Sequence, residues 1–93
     1  MKVVKLNRRF KQFKEHGHTV ALRFALYQPA KIAAYEKICR ARLTGHGYGR
    51  NGDWWGGFGH APNSNSSRPY WITFRNEADL TLVLLSADLT KIN

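Results

Sequence analysis

Hydrophobic residues alternate with polar or small residues along two segments, 18–27 and 70–75. The alternating apolar residues are Val20, Leu22, Phe24 and Leu26 in the first segment and Tyr70, Ile72 and Phe74 in the second. A period of two residues predicts strands that bury one face. The opposite face of the two strands holds Arg23, Tyr27, Trp71, Thr73 and Arg75. We therefore predict two strands whose outward face is basic and aromatic.

Two segments of the first half have the spacing of amphipathic helices. The first, 3–15, has an apolar stripe made of Val3, Leu6, Phe10 and Phe13. Gly17 lies just past its end, where a left-handed conformation is easy for glycine. The second helix is predicted over 30–43, and its apolar arc includes Cys39. We interpret Cys39 as a core residue.

The segment 77–86 fits two kinds of secondary structure. Leu80, Val83, Leu84 and Ala87 have helical spacing, and Asn76 is a good N-cap. Acidic residues in the first turn, Glu77 and Asp79, favour a helix. The run 82–85 also fits a strand that pairs with 70–75. The cap and the acids favour the helix.

These elements predict a small single α+β domain. Their order is α-β-α-loop-β-α, with helices packed on one face of a small sheet. Two strands alone make a marginal sheet. A third strand must therefore come from the segment after residue 80, from the N-terminus, or from the long loop. Asn51-Gly52 is a turn signal that would fold part of the loop into a hairpin.

The long loop, residues 44–69, contains seven of the eight glycines together with Tyr48, Trp54, Trp55 and Phe58. Connections this long are uncommon in compact domains, and they are usually functional or disordered. Disordered segments are poor in aromatic residues, so we predict a binding loop. The alternative is that its tryptophans cover the core as a lid. Gly47 to Gly52 fits G-x-G-x-x-G, but a dinucleotide site needs a strand before it and a helix after it.

Charge is distributed unevenly along the chain, which has a formal net charge of +9. Residues 1–50 hold 12 of the 15 Lys and Arg residues but only two of the six acids. This excess predicts an acidic partner such as nucleic acid, an anionic membrane or an acidic protein. The chain contains no apolar run long enough for a membrane span. A single cysteine excludes an intramolecular disulfide and favours the cytoplasm.

Catalytic and metal-binding patterns are not found in the sequence. There is no nucleophile motif, and three of the six carboxylates flank the C-terminal element. The four histidines lack the spacing of metal ligands, so we expect them at the surface. We predict a protein that is not an enzyme and that has no cofactor or metal. The minority alternative is an active site that folding assembles from His46 or His60 with Asp53.

The sequence favours non-catalytic binding of single-stranded or structured RNA or DNA. Bases stack on aromatic side chains, and phosphates pair with Lys and Arg. The predicted phosphate contacts are Lys5, Arg8, Arg9, Lys11, Lys14, Arg40 and Arg50. The predicted stacking or anchoring residues are Tyr48, Trp54, Trp55 and Phe58, and the other predicted site residues are Arg68, Trp71 and Arg75.

The alternative is a protein-interaction accessory, an inhibitor or an assembly protein, including one encoded by a virus. It would bind an acidic protein surface through the same loop, since Trp, Tyr and Arg dominate interface energetics. The sequence does not distinguish RNA from DNA or from a protein partner, and it does not predict an oligomeric state.

Overall fold

A four-stranded antiparallel sheet organises the molecule. The computed structural model describes residues 1–43, 52–59 and 68–90. The strands are β1 (Lys2–Lys5), β2 (Val20–Phe24), β3 (Trp54–Phe58) and β4 (Tyr70–Phe74), in the spatial order β1-β2-β4-β3. The helices are α1 (Lys11–His16), α2 (Pro29–Arg42) and α3 (Glu77–Leu89). The predicted α+β class and the predicted strands at β2 and β4 are confirmed.

The predicted N-terminal helix is divided in the structure, because residues 2–5 form a strand. β1 pairs with β2, and the β-branched Val4 lies opposite Ala21. Asn7 then makes a turn in which its side-chain oxygen accepts a hydrogen bond from the Arg9 backbone N–H at 2.9 Å. Asparagine competes with helical hydrogen bonding in this way. Only Lys11–His16 is helical, and Gly17 ends that helix with a φ of 71°, as predicted.

Part of the predicted loop is also a strand. Trp54–Phe58 pairs with β4, and the hydrogen bond from the Gly59 N–H to the Pro69 carbonyl extends the ladder. The N-terminus and the loop both contribute strands, so the sheet has four. Residues 44–51 and 60–67 lie outside the described residues. The predicted turn at Asn51-Gly52 falls at this boundary, because Asn51 lies outside the described residues.

The C-terminal element is a helix, as the sequence favours. The Asn76 side chain accepts a hydrogen bond from the Asp79 N–H at 2.9 Å and so caps α3. Leu80, Val83 and Ala87 are buried on one side of this helix. The same spacing that predicts the helix therefore defines its packed face.

The main core lies between the sheet and the pair α2 and α3. Its buried residues are Val20, Leu22, Phe24, Ile32, Tyr35, Cys39, Trp54, Ile72, Phe74, Leu80, Val83 and Ala87. Cys39 is fully buried, as predicted, and burial raises the pKa of its thiol to about 12. Helix α1 does not join this layer. It lies on the opposite face of the sheet, where the ring of Phe10, its N-cap residue, contacts Trp71.

Candidate functional site

The register of the strand pairs shows which face of the sheet each residue lies on. Trp55 lies opposite Thr73, and Gly57 lies opposite Trp71. Residues directly opposite in an antiparallel pair share a face. Arg23 lies opposite Trp71 on the other side of β4 and shares that face as well. The face turned away from α2 and α3 therefore displays two tryptophans beside an arginine.

A groove forms where α1 and the turn before it lie over this face. The T-shaped contact between the rings of Phe10 and Trp71, with centroids 5.5 Å apart, joins the two sides. The groove has a volume of about 550 Å³. We call it the basic groove, and its lining residues are Leu6, Arg9, Phe10, Lys11, Gln12, Trp55, Phe58, Gly59, Trp71 and Thr73.

Two glycines make room for the tryptophan rings of the basic groove. A Cβ atom at Gly57 would collide with the six-membered ring of Trp55. A Cβ atom at Gly59 would collide with Nε1 of Trp71. The glycines of this segment therefore let two indole rings lie close to the backbone of β3.

Arginine side chains lie against aromatic rings on both faces of the sheet. The Arg23 guanidinium is 5.9 Å from the centroid of the Trp71 ring. The Arg68 guanidinium is 5.5 Å from the Phe58 ring, and its Nε donates a hydrogen bond to the Gly59 carbonyl at 3.0 Å. Arginine stacked on an aromatic ring keeps its charge available to an anion.

A buried histidine connects β4 to the start of β3. His18 Nε2 lies 3.0 Å from the Gly52 carbonyl oxygen, and Nδ1 lies 2.6 Å from the Thr73 hydroxyl. A carbonyl only accepts, so Nε2 carries the proton, and the Thr73 hydroxyl donates to Nδ1 of the neutral ring. Burial is the main cause that lowers the pKa of His18 below 6.5, and the nearby His16 lowers it further.

This position corrects the expectation that the histidines lie at the surface, since His18 is 0% exposed. Thr73 lines the basic groove, and Gly52 lies two residues before Trp54. His18 therefore fixes the strand that bears Trp55 relative to the wall of the basic groove.

The net charge of the helical layer differs from that of the rest of the chain. Helix α2 carries four basic residues and one acidic residue, whereas α3 carries three acidic residues and no basic one. The helical layer is therefore neutral, and the chain's excess of +9 lies outside it. Seven of the basic residues outside the helical layer occur within residues 1–23, and Glu15 is the only acidic residue in that segment. This segment includes one wall of the basic groove.

Four of the predicted site residues come together in the basic groove, namely Arg9, Lys11, Trp55 and Trp71. Phe58 borders the groove, but it pairs with Tyr70, so its ring lies on the helix-facing side of the sheet, where Arg68 and Tyr27 contact it. Arg8 and Lys14 are exposed in the same N-terminal segment. Tyr48 and Arg50 lie outside the described residues.

Four predicted site residues lie elsewhere. Trp54 is a core residue with 1% exposure, so its ring is not available for stacking. Arg40 lies on α2, with its guanidinium 5.8 Å from the Trp54 ring. Lys5 shares the helix-facing side of the sheet with Val20. Arg75 is used structurally: it lies 4.0 Å from the Asp53 carboxylate and donates a hydrogen bond to the Gly52 carbonyl.

The outward face predicted for the strands is partly corrected. Tyr27 lies beyond the end of β2, and its ring packs against Phe58 and Tyr70. Sequence reasoning also missed Phe10 and Gln12 as groove residues. It missed as well that His18 joins Thr73 to Gly52 and so holds the start of β3. Phe10 fits an apolar helical stripe, and that pattern gives no sign of the sheet face that the residue covers.

The described residues bear on two further kinds of feature, clusters of metal-binding side chains and membrane-spanning helices. Its His, Cys, Asp and Glu residues form no group of three or more that could hold a metal ion. None of the described helices combines the length and apolar character that crossing a bilayer requires. The basic groove offers aromatic faces, the cationic groups of Arg9 and Lys11 and the amide of Gln12. Comparisons with protein-family models, with curated proteins and with solved structures find no match for this chain.

Proposed function

We propose that the protein binds single-stranded nucleic acid in the basic groove. The observation that supports this most directly is the convergence of Trp55, Trp71, Arg9 and Lys11 on one groove of about 550 Å³. Unpaired bases stack on aromatic faces, while arginine and lysine neutralise the adjoining phosphates. The chain's net charge of +9 adds long-range attraction for a polyanion.

An unpaired strand suits this groove better than a duplex does. Proteins that read a duplex usually insert a helix or a β-ribbon into the major groove. Here α1 has six residues, and the aromatic contact of Phe10 ties its start to the sheet. The tryptophans form part of the groove lining rather than a protruding edge. An unpaired base that has left its stack can enter the groove and reach the tryptophan rings, whereas a base held in a duplex cannot.

The test is a fluorescence-polarisation titration with labelled single-stranded RNA, single-stranded DNA and duplex DNA at several salt concentrations. The double variant Arg9→Ser/Lys11→Ser removes two cations from the basic groove. If each contacts one phosphate of a single strand, the slope of log Kd against log salt falls by roughly 1.4. Arg40→Ser, on the opposite layer, is the matched control and leaves the slope unchanged.

A second variant tests stacking. Trp71→Leu keeps an apolar side chain but removes the ring, and we expect affinity for the single strand to fall by roughly 5- to 150-fold. Tyr27→Leu, which removes an exposed aromatic ring outside the basic groove, serves as the control. Circular dichroism of each variant checks that the fold is retained.

Two outcomes would contradict the proposal. One is equal loss of binding in the groove variant and in Arg40→Ser, which would make the charge effect nonspecific. The other is binding that disappears near physiological salt for every nucleic acid. An acidic protein partner would then be the better hypothesis, and its binding would depend weakly on salt but strongly on Trp71.

A further inference from the structure

Helix α3 exposes a stripe of leucines on the side opposite its buried residues. Leu82, Leu85 and Leu89 are 38%, 59% and 84% exposed. Their spacing of three and four residues places them on one side of the helix. Single exposed hydrophobic residues are normal, but a continuous apolar surface marks an interaction site.

The stripe borders a second groove, between α2 and α3, with a volume of about 440 Å³. We call it the helix groove, and its lining residues are Ala34, Lys37, Ile38, Ala41, Arg42, Ser86, Leu89 and Thr90. The α2 side also exposes Ala30 and Ala33. Alanines leave shallow depressions that leucine side chains of another helix can fill.

Charges on this face have opposite signs on the two helices. Lys37 and Arg42 are exposed on α2, and Glu77 and Asp88 are exposed on α3. The face therefore contains leucine projections and small-residue depressions, with Lys37 and Arg42 in the lining of the helix groove and Asp88, three residues after Leu85, beside the leucine stripe. A surface that complements itself in this way is what a two-fold symmetric interface requires.

We propose that the face formed by α2 and α3 binds a second copy of this chain. A two-fold axis that runs between the helices places α3 of each copy against α2 of the other. Leucines of one copy then meet alanines of its partner, and acidic residues meet basic ones. The rest of the molecule has a net charge of +9, so copies repel each other through their other surfaces.

The acidic residues of α3 argue against a membrane surface as the occupant. Anionic lipids attract basic helices, whereas α3 has three acidic residues and no lysine or arginine. Each helix is roughly 20 Å long, and the pair is roughly 20 Å wide. A face of this size buries about 400 Å² on each copy, which is less than a stable interface needs, so we expect a weak dimer that forms only at high micromolar concentration. The basic groove lies on the other face of the sheet, so this inference does not depend on nucleic-acid binding.

The first test is sedimentation velocity of the full chain over a range of roughly 5 to 300 µM. The expected mass rises from the 10.7 kDa of one chain towards twice that value. Leu85→Glu raises the dissociation constant by at least roughly 30-fold, as expected when a charge enters the centre of an interface. Leu26→Glu is the matched control, because Leu26 is 70% exposed outside the helical layer and its replacement leaves the dimer intact.

A charge-swap experiment tests the arrangement itself. Variant A, Lys37→Glu/Arg42→Glu, makes the face acidic, and variant B, Glu77→Lys/Asp88→Lys, makes it basic. Each variant alone should remain monomeric because like charges meet across the two-fold axis. An equimolar mixture should form a one-to-one dimer.

Three results would overturn the proposal. They are a wild-type chain that stays monomeric at every concentration, a Leu85→Glu variant that dimerises like the wild type, and a mixture of A and B that stays monomeric. Pelleting of a monomeric wild-type chain with phosphatidylcholine vesicles, abolished by Leu85→Glu, would also overturn it and assign the face to lipid.

Discussion

Replacing Thr73 with valine removes one hydroxyl from the buried contact with His18 and changes little else. Valine has nearly the shape of threonine and is well suited to a strand. In the wild type the Thr73 hydroxyl lies 2.6 Å from His18 Nδ1. The two residues are 1% and 0% exposed, so water does not replace the lost donor.

The cost follows from leaving a buried acceptor without a partner. Such a group destabilises a fold by about 1–3 kcal/mol. For a domain of this size each kcal/mol lowers the melting temperature by roughly 4–8 °C. We therefore expect Thr73→Val to lower the free energy of unfolding by about 2 kcal/mol and the melting temperature by roughly 8–16 °C.

Urea unfolding followed by tryptophan fluorescence measures this change, because Trp54 is buried in the native state. Thr19→Val is the matched control. The exposed Thr19 hydroxyl donates to the Arg75 carbonyl at 2.8 Å, and water can take its place. Its cost should stay within about 0.5 kcal/mol. Equal effects of the two substitutions, or a more stable Thr73→Val variant, would refute the role given to the buried hydrogen bond.

Three further predictions concern buried groups. Trp54→Ala should lower the free energy of unfolding by about 3–5 kcal/mol and Trp55→Ala by less than about 2 kcal/mol in urea titrations, because only Trp54 lies in the core. The Cys39 thiol, with its pKa raised to about 12, should resist a thiol reagent at about pH 8 until urea unfolds the chain. Burial lowers the pKa of the His18 imidazole in the folded chain, so the unfolded chain binds a proton on this ring more readily than the folded chain does. Stability should therefore be highest above pH 6.5 and should fall as the pH drops through the folded-state pKa, and His18→Gln should flatten this part of the urea-midpoint profile.

The elements that could be predicted are those whose periodicity extends over several residues without interruption. β2 and β4 alternate, and α2 and α3 keep a period near 3.6 residues. Cys39 was placed in the core by its position in the apolar arc of α2, and the structure agrees. Local pattern and tertiary packing favour the same state in these segments, so the sequence is sufficient.

The sequence predicts the two edge strands only as possible sources of a further strand, because their local signals are misleading. Residues 3–13 match a helical stripe, but the side chain of Asn7 favours a turn within it. On each face of β3 an aromatic residue is followed by a glycine, because Gly56 and Gly57 stand where a strand usually has larger side chains. Glycine is depleted in strands, so this segment reads as a loop until β4 is available to pair with it.

The candidate site was predictable by residue type but not by position. Trp54 and Trp55 are chemically the same, yet adjacent residues of a strand point to opposite faces. The pairing of Trp54 with Phe74 places one ring in the core, and the pairing of Trp55 with Thr73 places the next in the basic groove. A shift of register by one residue would exchange them. Identifying which tryptophan faces the basic groove therefore requires the fold.

The sheet separates two surfaces of different chemistry, and this separation links the two proposals. The face toward α1 displays aromatic rings among basic residues, whereas the α2 and α3 layer has a net charge of zero and exposes the leucines of α3. If both proposals hold, the basic charge that attracts a polyanion would also oppose contact between copies through basic surfaces, and so would favour self-association through the layer whose net charge is zero. A dimer formed there leaves both basic grooves on its outer sides. In the proposed dimer, a long strand bound in one groove would meet the second groove at a high effective concentration, which a monomer does not provide.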